Sequence, residues 1–184
     1  MNPLQMKYRK TINKTLIKLF LFLLIIIPSE AAFSQSNFSS KVINIGVVVA
    51  DLNRSIDFYV NGIGMTKASG FTLDKDFTKR SGLSGGIPFS ITVLKLENSP
   101  EATEFKLMSF EKKAEHRKPT FVQDDLGIQY ITINVKSLKP IIERLTKLNI
   151  KFLGSTPTIL NKDMHFLLVQ DPDGNFVELI GPNS

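Results

Sequence analysis

An internal repeat constrains this chain more than any other feature. The segment Val42–Met65 (VINIGVVVADLNRSIDFYVNGIGM) is echoed by Ile128–Phe152 (IQYITINVKSLKPIIERLTKLNIKF) at a constant offset of 86 residues. That register lays Asn44 on Tyr130, Ile45 on Ile131, Val49 on Val135, Asp51 on Ser137, Leu52 on Leu138 and Ile56 on Ile142. Each copy reads as a strand, a helix opened by a capping Asp51 or Ser137, and a return strand. A chain that carries one supersecondary unit twice folds into two similar modules joined face to face.

The first 34 residues stand outside the repeat. Lys7, Arg9, Lys10, Lys14 and Lys18 precede the uncharged run Leu19–Ile27, which ends at Pro28. This is the layout of a secretory signal, and the run is well short of the roughly 20 residues that span a bilayer. Ala32 and Ser34 offer a small-x-small cleavage site before Gln35, and Ser29 with Ala31 offers a second. We expect an exported protein, periplasmic or extracellular, with no stable membrane anchor once the signal is removed. The absence of cysteine excludes a lipid-modified cysteine at the mature terminus and fits export without disulfides.

Removing that leader leaves 18 basic and 16 acidic residues, a formal charge of +2 against +6 for the whole chain. The densest positive run (Lys112, Lys113, Arg117, Lys118) is interleaved with Glu111 and Glu115 and reads as a solvated face, so nothing here calls for nucleic acid. The mature length supports one core. We expect a polar leader over 35–40 and a single domain over 41–181, made of module one (41–110), a charged connector (111–125) and module two (126–181).

Within module one the pattern predicts a strand over Lys41–Ala50, a helix from Asp51 to about Asn61 ended by Gly62 and Gly64, and strands over Met65–Phe71, Phe89–Glu97 and Glu104–Phe110. Leu73–Gly86 is an extra polar loop without a counterpart in the second copy. Module two is read as a strand over Gln129–Val135, a helix over Leu138–Leu148 with Pro140 in its first turn, and strands near Ile150–Ser155, His165–Gln170 and Asn175–Ile180. Asp171-Pro172-Asp173-Gly174 is a type I turn signal joining the last two strands as a hairpin. The fold class is therefore α+β, two βαβββ modules around one cleft.

Four phrases, INIGVVVADLNRSIDFYVNGIGM, SGLSGGIPFSITVLKLE, GIQYITINVKSL and QDPDGNFVELIGP, together resemble the vicinal oxygen chelate superfamily, the glyoxalase, bleomycin resistance and extradiol dioxygenase group. The resemblance spans about residues 41–181. It implies sheets curled around a cleft, with a divalent metal (zinc, iron, nickel or manganese) held on the inner wall in metal-dependent members. One ligand comes from the first strand of each module and one from the last.

Carried over phrase by phrase, those positions fall on Asn44, Lys106, Tyr130 and Glu178, with Glu104 as an alternative to Lys106 one strand period away. Only Glu178 matches the family pattern. An amide, an ammonium, a phenol and one carboxylate make a poor transition-metal site, so no cofactor is expected. The two histidines, His116 in the connector and His165 at the start of a strand, are not on ligand positions, and of these His165 is a candidate to reach the cleft. An ion pair between Lys106 and Glu178 would offset the cost of a lone carboxylate in a low-dielectric cleft.

Three readings stay open. In the first, the cleft holds a small organic ligand without metal through Asn44, Lys106, Tyr130, Glu178 and His165. In the second, a lyase or isomerase uses Glu178 as base, Lys106 as electrostatic stabiliser and Tyr130 as proton donor, or the metal site is real and the enzyme is glyoxalase- or dioxygenase-like. In the third, the domain binds a partner and has no chemistry. Both a monomer and a homodimer are compatible with two modules in one chain.

Overall fold

A computed structural model describes residues 38–112 and 117–184. The signal-like segment and His116 lie outside the described residues. The compact unit spans Val42–Ser184 and contains two four-stranded sheets. In module one, β1 (Ile45–Val48), β2 (Thr66–Leu73), β3 (Phe89–Lys95) and β4 (Glu104–Ser109) are arranged in the order β1-β4-β3-β2. In module two, β5 (Tyr130–Asn134), β6 (Thr158–Ile159), β7 (His165–Gln170) and β8 (Phe176–Gly181) repeat that plan as β5-β8-β7-β6.

In both sheets the first strand runs parallel to the last and the other pairs are antiparallel. A parallel pair needs a crossover that carries the chain over a face of the sheet, and the helix of each copy provides it. The repeat read from sequence is thus a repeat of topology.

Helix α1 (Leu52–Ile56) starts where expected, because the Asp51 side chain accepts from the N–H groups of Asn53 and Arg54. It then widens into a π-helical segment, Asp57–Ile63, which Gly64 ends in the left-handed conformation at φ 103°. In module two, α3 (Lys139–Lys147) begins with Pro140 in its first turn. Ser137 does not cap it, contrary to expectation: the helix opens at Leu138 without a side-chain cap, and the Ser137 hydroxyl donates to the Ser184 carbonyl.

Two further sequence expectations are corrected. The extra loop contains α2 (Lys75–Arg80), opened by Asp74 accepting from Phe77 N–H at 2.7 Å. A short Asp-capped turn of this kind has no sustained apolar period to betray it. No strand forms over 150–155, where Phe152 makes only a single bridge to Val169 and the paired strand is β6. Gly154, at φ 60°, takes the backbone out of the extended region, and Pro157 has no N–H to offer a ladder, so pairing resumes only beyond them.

One apolar core serves both modules. Phe58, Tyr59 and Ile63 from the first crossover and Leu138, Ile141 and Leu145 from the second pack with Leu94, Phe105, Leu107, Leu167, Val169, Val177 and Leu179 from the sheets. Arg144 of α3 ties the two crossovers together, donating to the carbonyls of Gly62 at 2.9 Å and Ile63 at 2.8 Å at the end of the π segment. On the opposite face of the first sheet a second cluster forms from Phe89, Ile91 and Val93, against Leu73, Met108 and Phe110. Described strands therefore bury apolar side chains on both faces of module one, which explains the unbroken burial of Ile91–Leu94.

Candidate functional site between the first strands of the two modules

The strand registers fix where the implied ligand positions stand. Gly46 faces Lys106 across β1 and β4, and Thr132 faces Glu178 across β5 and β8. Because the 86-residue offset carries Gly46 onto Thr132, Lys106 is the module-one counterpart of Glu178. The same counting makes Glu104 the counterpart of Phe176, so by register Lys106 rather than Glu104 stands at the position equivalent to Glu178. Alternation along each strand puts Lys106 and Glu178 opposite the core-facing residues Phe105, Leu107, Val177 and Leu179.

The expected ion pair between Lys106 and Glu178 does not form. Lys106 Nζ lies 3.1 Å from Glu104 Oε2, its neighbour on the same strand face, and Lys95 Nζ lies 3.7 Å from Glu104 Oε1. The Lys106 hydrogen bond, then the charges of both lysines, hold the Glu104 carboxyl below the usual carboxylate range. Glu178 is engaged within its own sheet, accepting from the Thr132 hydroxyl at 2.6 Å. Each charge is met by a partner close at hand, and neither needs the other.

The family's metal fits this set of donors poorly. The amide oxygen of Asn44 accepts from Glu104 N–H at 3.0 Å, Lys106 brings a positive charge, and one carboxylate remains. Among the described residues no group of three or more His, Cys, Asp or Glu side chains is placed to hold a metal ion. His165 is not brought to these positions. It pairs with Gly181 and shares the face of Leu167 and Val169, away from Glu178, with its Nδ1 buried and without a hydrogen-bond partner.

A concavity lies instead beside β1 and β5, the edge strands of the two sheets. A cavity of about 340 Å³ opens there. Both faces of β1 line it, through Ile45 and Val47 on one side and Gly46 and Val48 on the other, so it passes between the sheets rather than resting on one. Of the residues singled out in sequence, only Tyr130 lines it. Asn44, Lys106, Glu178 and His165 do not.

Its polar end comes from the β7–β8 hairpin. Gly174 N–H donates to the Asp171 carbonyl at 3.1 Å, closing the turn expected from Asp-Pro-Asp-Gly. The Asp171 carboxylate, 4% exposed, is saturated, with Oδ1 accepting from the N–H groups of Asp173 and Asn175 and Oδ2 from the Asn175 amide and the Tyr59 hydroxyl. Burial first, and then the Asp171 charge, push the Tyr59 hydroxyl well above its usual pKa, so it stays a donor. Asp173, by contrast, faces the cavity, and both its oxygens lie 3.4 Å from Ala50 N–H.

Sequence reasoning read this hairpin as a turn and missed its carboxylates. The available signal was a second aspartate inside a four-residue turn, one more than the turn requires.

Burial, and after it the neighbouring Asp171, raise the Asp173 carboxyl above its usual pKa. A raised acid binds more protons in the folded than in the unfolded chain between its unfolded and folded values, so stability falls as pH rises through that window. Asp173→Asn removes this term while keeping an oxygen for Ala50. The variant is expected to match or exceed the parent in stability at neutral pH and to show a flatter dependence on the acid side, measured by urea unfolding at several pH values. A large loss at neutral pH would show that the charge itself holds the hairpin.

Residues 41–179 match the family model of the Glyoxalase/Bleomycin resistance protein/Dioxygenase superfamily. No curated protein matches the chain. Among solved structures, a glyoxalase family protein from Bacillus cereus is 18% identical, with a TM-score of 0.67, over 82% of this chain and 99% of that one. The trypanothione-dependent glyoxalase I of Leishmania major is 21% identical, with a TM-score of 0.55, over 78% and 87%. A glyoxylase/bleomycin resistance protein/dioxygenase domain from Frankia sp. is 19% identical, with a TM-score of 0.54, over 82% and 95%. At these identities the likeness is one of fold, and activity does not travel with it. With the doubled βαβββ topology, the parallel pairing of first and last strands in each sheet and the family-model match over most of the unit, the chain belongs to the glyoxalase/bleomycin resistance protein/dioxygenase superfamily.

Proposed function

We propose that this domain binds a small organic molecule in the cavity between β1 and β5, without the divalent metal of the metal-dependent members, and that it works as an exported protein, periplasmic or extracellular. The cavity carries the reading: about 340 Å³ of space, walled mainly by apolar side chains, with Asp173, Asn175, Gln129 and Tyr130 as the polar groups that orient a ligand. The substituted donor set supports the metal-free part, and the basic then apolar leader supports export. An acid–base enzyme built on Glu178, Lys106 and Tyr130 has less support, because Lys106 is paired with Glu104 and only Tyr130 of the three reaches the cavity.

Two measurements on the chain from Gln35 onward test this. Elemental analysis is expected to find no stoichiometric metal, and zinc, iron, nickel and manganese to leave the melting temperature unmoved, since an ion that bound the folded state would raise it. An environment-sensitive apolar dye is expected to bind saturably, and Val48→Trp, which fills the cavity from β1, to abolish that binding. Stoichiometric metal would replace the proposal with a metal-dependent one. Dye binding indifferent to Val48→Trp would move the site elsewhere.

A further inference from the structure

Accepting the cavity as the binding site, we infer that its ligand is a small organic cation, an ammonium group carried on an apolar body. Tyr130, half-exposed, is the aromatic residue of the lining that opens to the space, and Tyr59, Phe105 and Phe176 are buried in the wall behind it. An accessible aromatic face attracts a cation through its quadrupole. The same lining holds one carboxylate, Asp173, and no Lys, Arg or His.

That carboxylate has capacity to spare. Its oxygens share the Ala50 N–H at 3.4 Å, a long contact for a group able to accept about four hydrogen bonds. Asp171, two residues away, adds a second negative charge, and its own lone pairs are already taken by Tyr59, Asp173 and Asn175. The cations nearest Asp173, Lys118 and Arg54, are not among the lining residues, and the Lys118 ammonium donates to the Pro172 carbonyl. An anionic ligand would meet the Asp173 carboxylate, with Asp171 behind it, and no cation among the lining residues. A cation meets a half-buried carboxylate with few partners and, beside the same space, the open ring of Tyr130.

Calorimetric titration of the protein from Gln35 onward with three probes of one shape tests the inference. The probes are choline, its neutral carbon isostere with a quaternary carbon in place of nitrogen, and the carboxylate of matching size. Choline is expected to bind on the order of tenfold more tightly than the neutral isostere, and the carboxylate not to bind measurably. Asp173→Asn should erase the preference for choline. Tyr130→Leu, at a half-exposed position where folding is not at stake, should weaken choline several-fold and leave the isostere unchanged.

Equal affinity for choline and its isostere would overturn the inference while leaving the cavity as a site for neutral molecules. The inference also falls alone if the apolar dye binds and is blocked by Val48→Trp yet choline fails to displace it. If neither the dye nor any probe binds, the cavity reading falls with it.

Discussion

Asp171→Ala is expected to lower the stability of the domain by about 4 kcal/mol, the largest effect of any single polar substitution in the described residues. Four donors converge on this carboxylate at 2.9 Å: the backbone N–H groups of Asp173 and Asn175, the Asn175 amide and the Tyr59 hydroxyl. Tyr59 is completely buried, so its hydroxyl has no water to turn to when the carboxylate is lost. A buried donor left without a partner costs about 1–3 kcal/mol, and bonds to a charged acceptor are at the strong end. The two backbone donors lie in a turn and recover part of their loss from solvent, which keeps the total near 4 rather than at the sum.

Tyr59→Phe removes one donor and leaves the carboxylate three, so its cost is expected to be about 1–2 kcal/mol. A double-mutant cycle in urea should show strong coupling between positions 59 and 171. A loss below about 1 kcal/mol for Asp171→Ala would mean that water replaces the network. The substitution bears on function as well as stability, because Tyr59 sits in the first crossover and Asp171 in the last hairpin. Their bond holds Asp173 over the cavity from the opposite module.

Leu145→Ala is expected to cost about 3 kcal/mol, without splitting the unfolding transition. Leu145 is fully buried on α3 and packs on the π segment of the other module, where a Cβ added at Gly62 would stand 3.0 Å from its Cδ2. Glycine at that point lets the two crossovers approach closely, and truncating the leucine leaves a void that the Arg144 bonds to Gly62 and Ile63 prevent from closing. If the two modules share one core, the urea midpoint falls, the slope stays the same and the transition remains single. Two separate transitions, with only the second module weakened, would contradict the shared core.

Asp51 was legible as a cap because an aspartate before an apolar period at a strand–helix boundary has one low-energy use. Ser137, at the repeat-equivalent position, looks the same and is not a cap, because the helix opens one residue later, at Leu138, with no side-chain cap. Lys106 comes from the phrase alone, and the ladder register places it at the position of module one equivalent to Glu178. Its partner could not be read in the same way. Glu104 was visible two residues away, but whether a lysine turns along its own strand or across a cleft depends on how far apart the sheets stand.

By itself the sequence determined the doubled architecture and the hairpin turn, because these follow from local periodicity, turn chemistry and a repeat that any folded form must honour. Only the tertiary structure decided where the cavity lies and which side chains face it. Those depend on the gap between β1 and β5, strands 86 residues apart in the chain, and on a buried carboxylate whose four donors come from both modules. Long-range packing sets such distances, and no local pattern in the chain encodes them.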